Sequence, residues 1–215
     1  MTIFGKVILL EMIIEACVEN FSDAWKAQLA GANRIELCEN LAVGGTTPSY
    51  GTIKTCCRKL KIPIATMIRP RGGSFYYSDA EFEIMKEDIG ICKTLGSQSV
   101  VFGLLTKNNK IDVERTKTLI NLAQPMQAMY HKAFDEIADP FDALEILIDL
   151  GVTRILTSGT KNTALEGQVI LRKLINQAAG RISIVVAGKV TFDNLDILSK
   201  LIPAKEFHGK NIVQV

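Results

Sequence analysis

Two short segments carry the same pattern, Glu15-Ala-Cys17 and Glu36-Leu-Cys38. Each lies in an apolar run that reads as a strand, and side chains two apart on a strand point the same way, so each glutamate shares a face with its cysteine. Neighbouring strands in a parallel sheet lie about 4.8 Å apart, close enough for the two thiols to share one soft metal ion. Thiolates select Cu(I) and zinc over harder ions. A closed zinc site takes four ligands, so a pair of cysteines suits low-coordinate Cu(I) better. Cys17 and Cys38 are therefore candidate copper ligands, with buried thiols acting as small hydrophobes as the alternative. Cys56, Cys57 and Cys92 fall on helix patterns and are weaker candidates.

A second group of residues suits an anion. The run Met67-Ile-Arg-Pro-Arg-Gly-Gly73 places Arg69 and Arg71 in a stiff, turn-rich loop between a strand and the capping box Ser78-Asp-Ala-Glu81. Guanidinium forks bind carboxylate or phosphate through paired bonds, and glycine lets backbone donors come close. The bland alternative is that both arginines pair with carboxylates of the protein itself. The turn Thr157-Ser-Gly-Thr160, ahead of a capped helix, offers Ser158 and Gly159 as a further anion cradle. His131 and His208 are the only histidines, and both fall at strand ends. Either could ligate a metal or act as a base near neutral pH, and His208 also counts among the anion-binding candidates. Glu15, Glu36, His131 and Asp135 are the candidate acid/base groups. The three carboxylates serve equally as counter-ions for Arg34, Arg69 and Arg71.

Positioning these groups requires alternating strands and helices. Strand patterns begin at Met12, Arg34, Ile62, Ser99, Gln127, Arg154, Ile182 and Glu206, and seven helix patterns separate them. The first helix starts at Ser22-Asp23 with apolar positions Trp25, Leu29 and Ala30 and stops at Gly31. Later helices begin at Tyr50, at the Ser78 capping box, after Asp112, at Asp139-Pro140, at the capping box Thr163-Ala-Leu-Glu166 and at Thr191. Eight βα units predict a TIM-type (β/α)8 barrel, with functional groups at the carboxyl ends of the strands. Only seven residues follow His208, so the eighth helix is absent and the barrel is expected to be incomplete on one side. The apolar segment from Ile3 to Leu10, or a partner subunit, would cover that gap. The whole of 1–215 reads as one domain, with 1–11 as an N-terminal extension and 209–215 as a short tail.

Composition narrows the function classes. The 215 residues are 47% hydrophobic with a formal net charge of +2, enough for one sizeable core and without a basic stripe for nucleic acid. Lys6, the short apolar run from Val7 to Leu10 and then Glu11 make neither a convincing secretory signal nor a membrane span. Five cysteines without disulfide-like spacing fit reduced thiols in the cytoplasm.

Several of these motifs together resemble the CutC family of copper homeostasis proteins. They are Glu36-Leu-Cys38, Gly44-Gly-Thr-Thr-Pro-Ser49, Met67-Ile-Arg-Pro-Arg-Gly-Gly73, Tyr77-Ser-Asp79, Val101-Phe-Gly-Leu-Leu-Thr106, Ala133-Phe-Asp135, Leu156-Thr-Ser-Gly159 and Ala164-Leu-Glu-Gly167. The resemblance runs from about Ile14 to Gly209. It implies a TIM-barrel-like fold, a cytoplasmic location, self-association into a homo-oligomer, and a Cu(I) site at Cys17 and Cys38. Two segments depart from the family pattern. Ala187-Gly-Lys-Val190 stands where the family often has a Pro-Gly-Gly-Gly turn, and the tail after Gly209 is short. Two functions remain in view: a copper-handling protein, and an enzyme acting on a small phosphate- or carboxylate-bearing metabolite.

Overall fold

Alternating periodicities of two and 3.6 lay out eight strands, joined in sequence by seven helices. A computed structural model describes residues 12–214. The strands are β1 (Ile13–Val18), β2 (Arg34–Leu37), β3 (Ile64–Met67), β4 (Ser99–Phe102), β5 (Gln127–Tyr130), β6 (Arg154–Thr157), β7 (Ser183–Val186) and β8 (Glu206–Gly209). Between them run α1 (Phe21–Leu29), α2 (Tyr50–Lys59), α3 (Asp79–Leu95), α4 (Val113–Ala123), α5 (Pro140–Asp149), α6 (Ala164–Ala178) and α7 (Phe192–Leu201). Two short 3-10 turns, Leu41–Val43 and Lys132–Glu136, follow β2 and β5. The strands pair in parallel in sequence order, and β8 returns to β1 to close the barrel.

The local signals act where the sequence places them. Ser78 and Glu81 form a reciprocal capping box that starts α3, and Thr163 and Glu166 do the same for α6. Pro140 occupies the first turn of α5 behind the Asp139 cap. Gly96 and Gly151 follow α3 and α5 with φ of +85° and +84°, a region that costs glycine little.

Strand parity divides the interior into two cores. Ile35, Leu37, Val100, Phe102, Tyr130, Ile155 and Phe207 face outward into the layer shared with the helices. Burying each such side chain contributes about 1.5–3 kcal/mol, so this layer holds the helices on the sheet. The opposite faces fill the barrel with Cys17, Cys38, Ala65, Met67, Val101, Met129, Leu156 and Val185.

Three expectations change. The sheet closes fully, although no helix follows β8 among the described residues; the segment from Ile3 to Leu10 lies outside them. The first helix is capped by Asn20, ahead of Ser22. Its buried positions are Ala24 and Ala27, whereas Trp25 and Leu29 are 38% and 71% exposed. Small residues let α1 approach the sheet closely, which turns its bulky apolar side chains outward. No helix is long and apolar enough to cross a membrane among the described residues.

Candidate functional site

A cavity of about 530 Å³ opens at the carboxyl end of the barrel. Cys17, Glu36, Arg69, His131, Asp135 and His208 all line it, so five different strands or their following turns deliver groups to one mouth. Below it lies a buried charged layer. Arg34 pairs with Glu15 and, at 2.6 Å, with Glu206, which also accepts from Arg154 at 3.1 Å and from the Ser183 hydroxyl at 2.6 Å. Glu15 is therefore the counter-ion of Arg34, and it does not line the cavity.

The register explains how the sulfurs meet. Cys17 lies opposite Glu36 on β2, and the Cys38 amide continues the ladder by donating to the Val18 carbonyl at 2.9 Å. One ligand atom each of Cys17, Glu36 and Cys38 falls within 4.8 Å of the others, and the same holds for Glu15, Glu36 and His208. The hydrogen bond from Cys38 holds the Cys17 thiol well below the usual thiol range despite burial, with His208 assisting. The same bond, together with burial, pushes Cys38 well above it. The pair is thus asymmetric, with Cys17 the more acidic sulfur and Cys38 the less acidic. Cys38 Sγ also lies 3.6 Å from Glu36 Oε2. Burial and the neighbouring Cys17 raise Glu36 well above the carboxylate range, and its Oε1 has no partner. Burial opposes a charge on His208, but Glu36, Cys17 and Glu15 together raise it well above the imidazole range.

Arg69 and His131 occupy the other side of the mouth, each only 4% exposed. Arg69 donates from Nη1 to the Val43 and Gly45 carbonyls, both at 3.1 Å, and from Nη2 to the Gly73 carbonyl at 2.8 Å. Phe75 lies between the two groups, its ring centre 4.7 Å from the guanidinium carbon and 4.8 Å from the imidazole centre. His131 Nδ1 accepts the Ala133 N–H at 3.1 Å. Burial and the Arg69 charge lower its pKa to about 3. The imidazole is neutral with its proton on Nε2, which makes that nitrogen a donor.

The remaining candidates separate. Arg71 lies outside the cavity, held by Glu81 at 2.5 Å and by the Gly72, Ser74 and Tyr76 carbonyls, so it is the internal ion pair weighed as the alternative. Asp135 lines the mouth but is engaged by Thr157, by the Ser158 hydroxyl at 2.9 Å, by the Thr160 N–H at 3.0 Å and by Lys132 at 3.2 Å. The Ser158 hydroxyl is also bonded to Lys132, and the Gly159 N–H donates to the Thr157 hydroxyl. The turn therefore spends its donors on itself, and Ser158 and Gly159 stand behind the cavity wall. At the departing turn, Lys189 takes φ of +56°, left-handed geometry that glycine adopts without strain, and it does not reach the cavity. Sequence reading missed Phe75 and the role of Glu206. The aromatic two residues after Gly73 was a usable sign of a stacking partner for arginine, whereas Glu206 had no such sign.

Comparison with known proteins agrees with this geometry. The family model described as the CutC family matches residues 12–213. The chain belongs to the CutC family. It is 45% identical over 196 residues to the copper homeostasis protein cutC homolog of Mus musculus, covering 91% of this chain and 72% of the relative. The Homo sapiens homolog is 44% identical over the same length and shares. A crystal structure of CutC from Streptococcus agalactiae superposes with a TM-score of 0.90 at 41% identity, covering 94% of this chain and all of that one. CutC membership and the closed eight-stranded barrel agree, as the motif resemblance implied.

Proposed function

We propose that this CutC-family chain binds and hands on Cu(I) as cargo between Cys17 and Cys38. The observation that carries the reading is the convergence of two buried sulfurs with Glu36 within 4.8 Å, one of them held well below the usual thiol range. Soft thiolates in an apolar wall of Met67 and Leu156 favour a soft monovalent ion over hard divalent ones. The names of the mouse and human relatives refer to copper homeostasis, which supports copper as the ion. All five cysteines are free thiols, in keeping with a reducing cytoplasm.

Competition with a chromophoric Cu(I) chelator under anaerobic, reducing conditions tests this. The parent chain takes up one Cu(I), and the Cys17→Ser/Cys38→Ser variant takes up none. Equal stoichiometry in the two proteins refutes the assignment.

A further inference from the structure

The copper reading uses one side of the mouth and leaves two buried donors opposite it without a function. His131 Nε2 is buried without a hydrogen-bond partner, and so is Arg69 Nε, although the buried Tyr77 hydroxyl interacts with the Arg69 side chain. A buried donor left unpaired costs about 1–3 kcal/mol, so two beside one cavity mark a place where a ligand supplies the acceptors. Their other nitrogens are fixed. The Arg69 Nη atoms are bound to three backbone carbonyls, and His131 Nδ1 is occupied by the Ala133 amide, which leaves Nε2 to carry the proton. The surroundings are cleared for them. A Cβ on Gly103 would come within 2.5 Å of the His131 ring, and one on Gly44 within 3.0 Å of Arg69 Nη1.

We infer that Arg69 and His131 form a binding site for the carboxylate group of a small metabolite. Charge decides between oxyanions. Among the described residues no carboxylate pairs with Arg69, whose hydrogen bonds go to neutral carbonyls. At these two donors the site thus offers one full positive charge and one neutral donor, while Lys161 and Lys210 stand exposed on the rim of the same cavity. A carboxylate brings one negative charge and two acceptor oxygens, which matches. A phosphate dianion would bring a second charge to these buried donors that only the exposed Lys161 and Lys210 of the rim could meet. The cavity leaves space for the remainder of a metabolite beyond the bound group. This inference does not rest on copper binding, because it uses neither cysteine.

Pyruvate and acetate are the probes, against inorganic phosphate at matched ionic strength, with thermal shift and ¹⁵N-histidine NMR as readouts. With two histidines in the chain, His131 and His208 resonances are assigned by single substitution. The expected result is that monocarboxylates raise Tm and shift the His131 Nε2 resonance, while phosphate does neither. His131→Phe keeps a ring in place and weakens binding by about tenfold, the loss of one charge-assisted bond. Arg69→Lys weakens it as much or more; because Arg69 also ties three carbonyls, His131→Phe decides if that variant fails to fold. Cys17→Ser/Cys38→Ser retains carboxylate binding, which separates failure here from failure of the copper reading. Undiminished pyruvate binding by His131→Phe, a phosphate response equal to that of pyruvate, or a His131 resonance that no monocarboxylate moves would each overturn the inference.

Discussion

Glu15 and His208 face each other across the seam where the last strand meets the first, with Oε1 2.8 Å from Nδ1. Burial would raise the Glu15 pKa, but His208 and Arg34 lower it to about 2. One carboxylate thus links the charged layer below to the imidazole at the mouth. Replacing Glu15 by Gln leaves Arg34 buried with Glu206 alone and His208 without its anion. The expected loss is about 3–5 kcal/mol, the cost of breaking a buried pair, measured as a lower urea midpoint. Because the folded pKa lies below the unfolded value, the stabilisation is present above about pH 4.5 and fades as pH falls toward 2.

The acidity difference between the two sulfurs predicts an order of ionisation. Cu(I) binding needs both thiols deprotonated, so uptake releases protons, and Cys17 gives up its proton at lower pH than Cys38. Thiolate absorbance should therefore appear at lower pH in the parent than in Cys17→Ser, and should move up in Cys38→Ser because the thiol that holds Cys17 down is gone. A first thiolate transition that Cys17→Ser does not move would contradict the order.

His131 gives stability a pH dependence of the opposite kind to that of a salt-bridged histidine. Its folded pKa of about 3 lies below the ordinary 6.5, so the unfolded chain takes up a proton that the folded one refuses. Stability is therefore full above about pH 6.5 and falls as the solution is acidified toward 3. Between pH 7 and 5 the loss is about 2 kcal/mol, at about 1.4 kcal/mol per pH unit below 6.5. Denaturant titrations of the parent and His131→Phe should show this component only in the parent.

Gly103→Ala places a methyl group 2.5 Å from the His131 ring and 2.9 Å from the Ala133 Cβ. Overpacking of this kind costs about 1–3 kcal/mol. The displaced imidazole should also bind pyruvate more weakly. Thermal melts with and without pyruvate check both effects in one experiment.

Much of the architecture was legible because it rests on periodicity and caps. Ser78, Thr163 and Asp139 mark helix starts through chemistry local to a few residues, and strand parity correctly put Glu15 with Cys17 and Glu36 with Cys38. Pairing between distant segments was not legible in the same way. Arg71 and Arg69 look alike in the sequence, yet one is satisfied by Glu81 and the other keeps a free Nε–H, a difference decided by loop closure. Asp135 was visible as a candidate, but its capture by the turn after β6 depends on tertiary contact. The outward turn of Trp25 reflects close packing of Ala24 and Ala27, which amphipathic spacing alone does not rank.

That exposed indole is also the only tryptophan of the chain. It sits beside Phe21 on the outer surface of α1, with its ring centre 6.0 Å from that of Phe21, and takes no part in lining the mouth. Its intrinsic fluorescence is consequently an optical probe of the molecule's exterior. An emission change on adding pyruvate would report a surface event or subunit association rather than direct filling of the cavity.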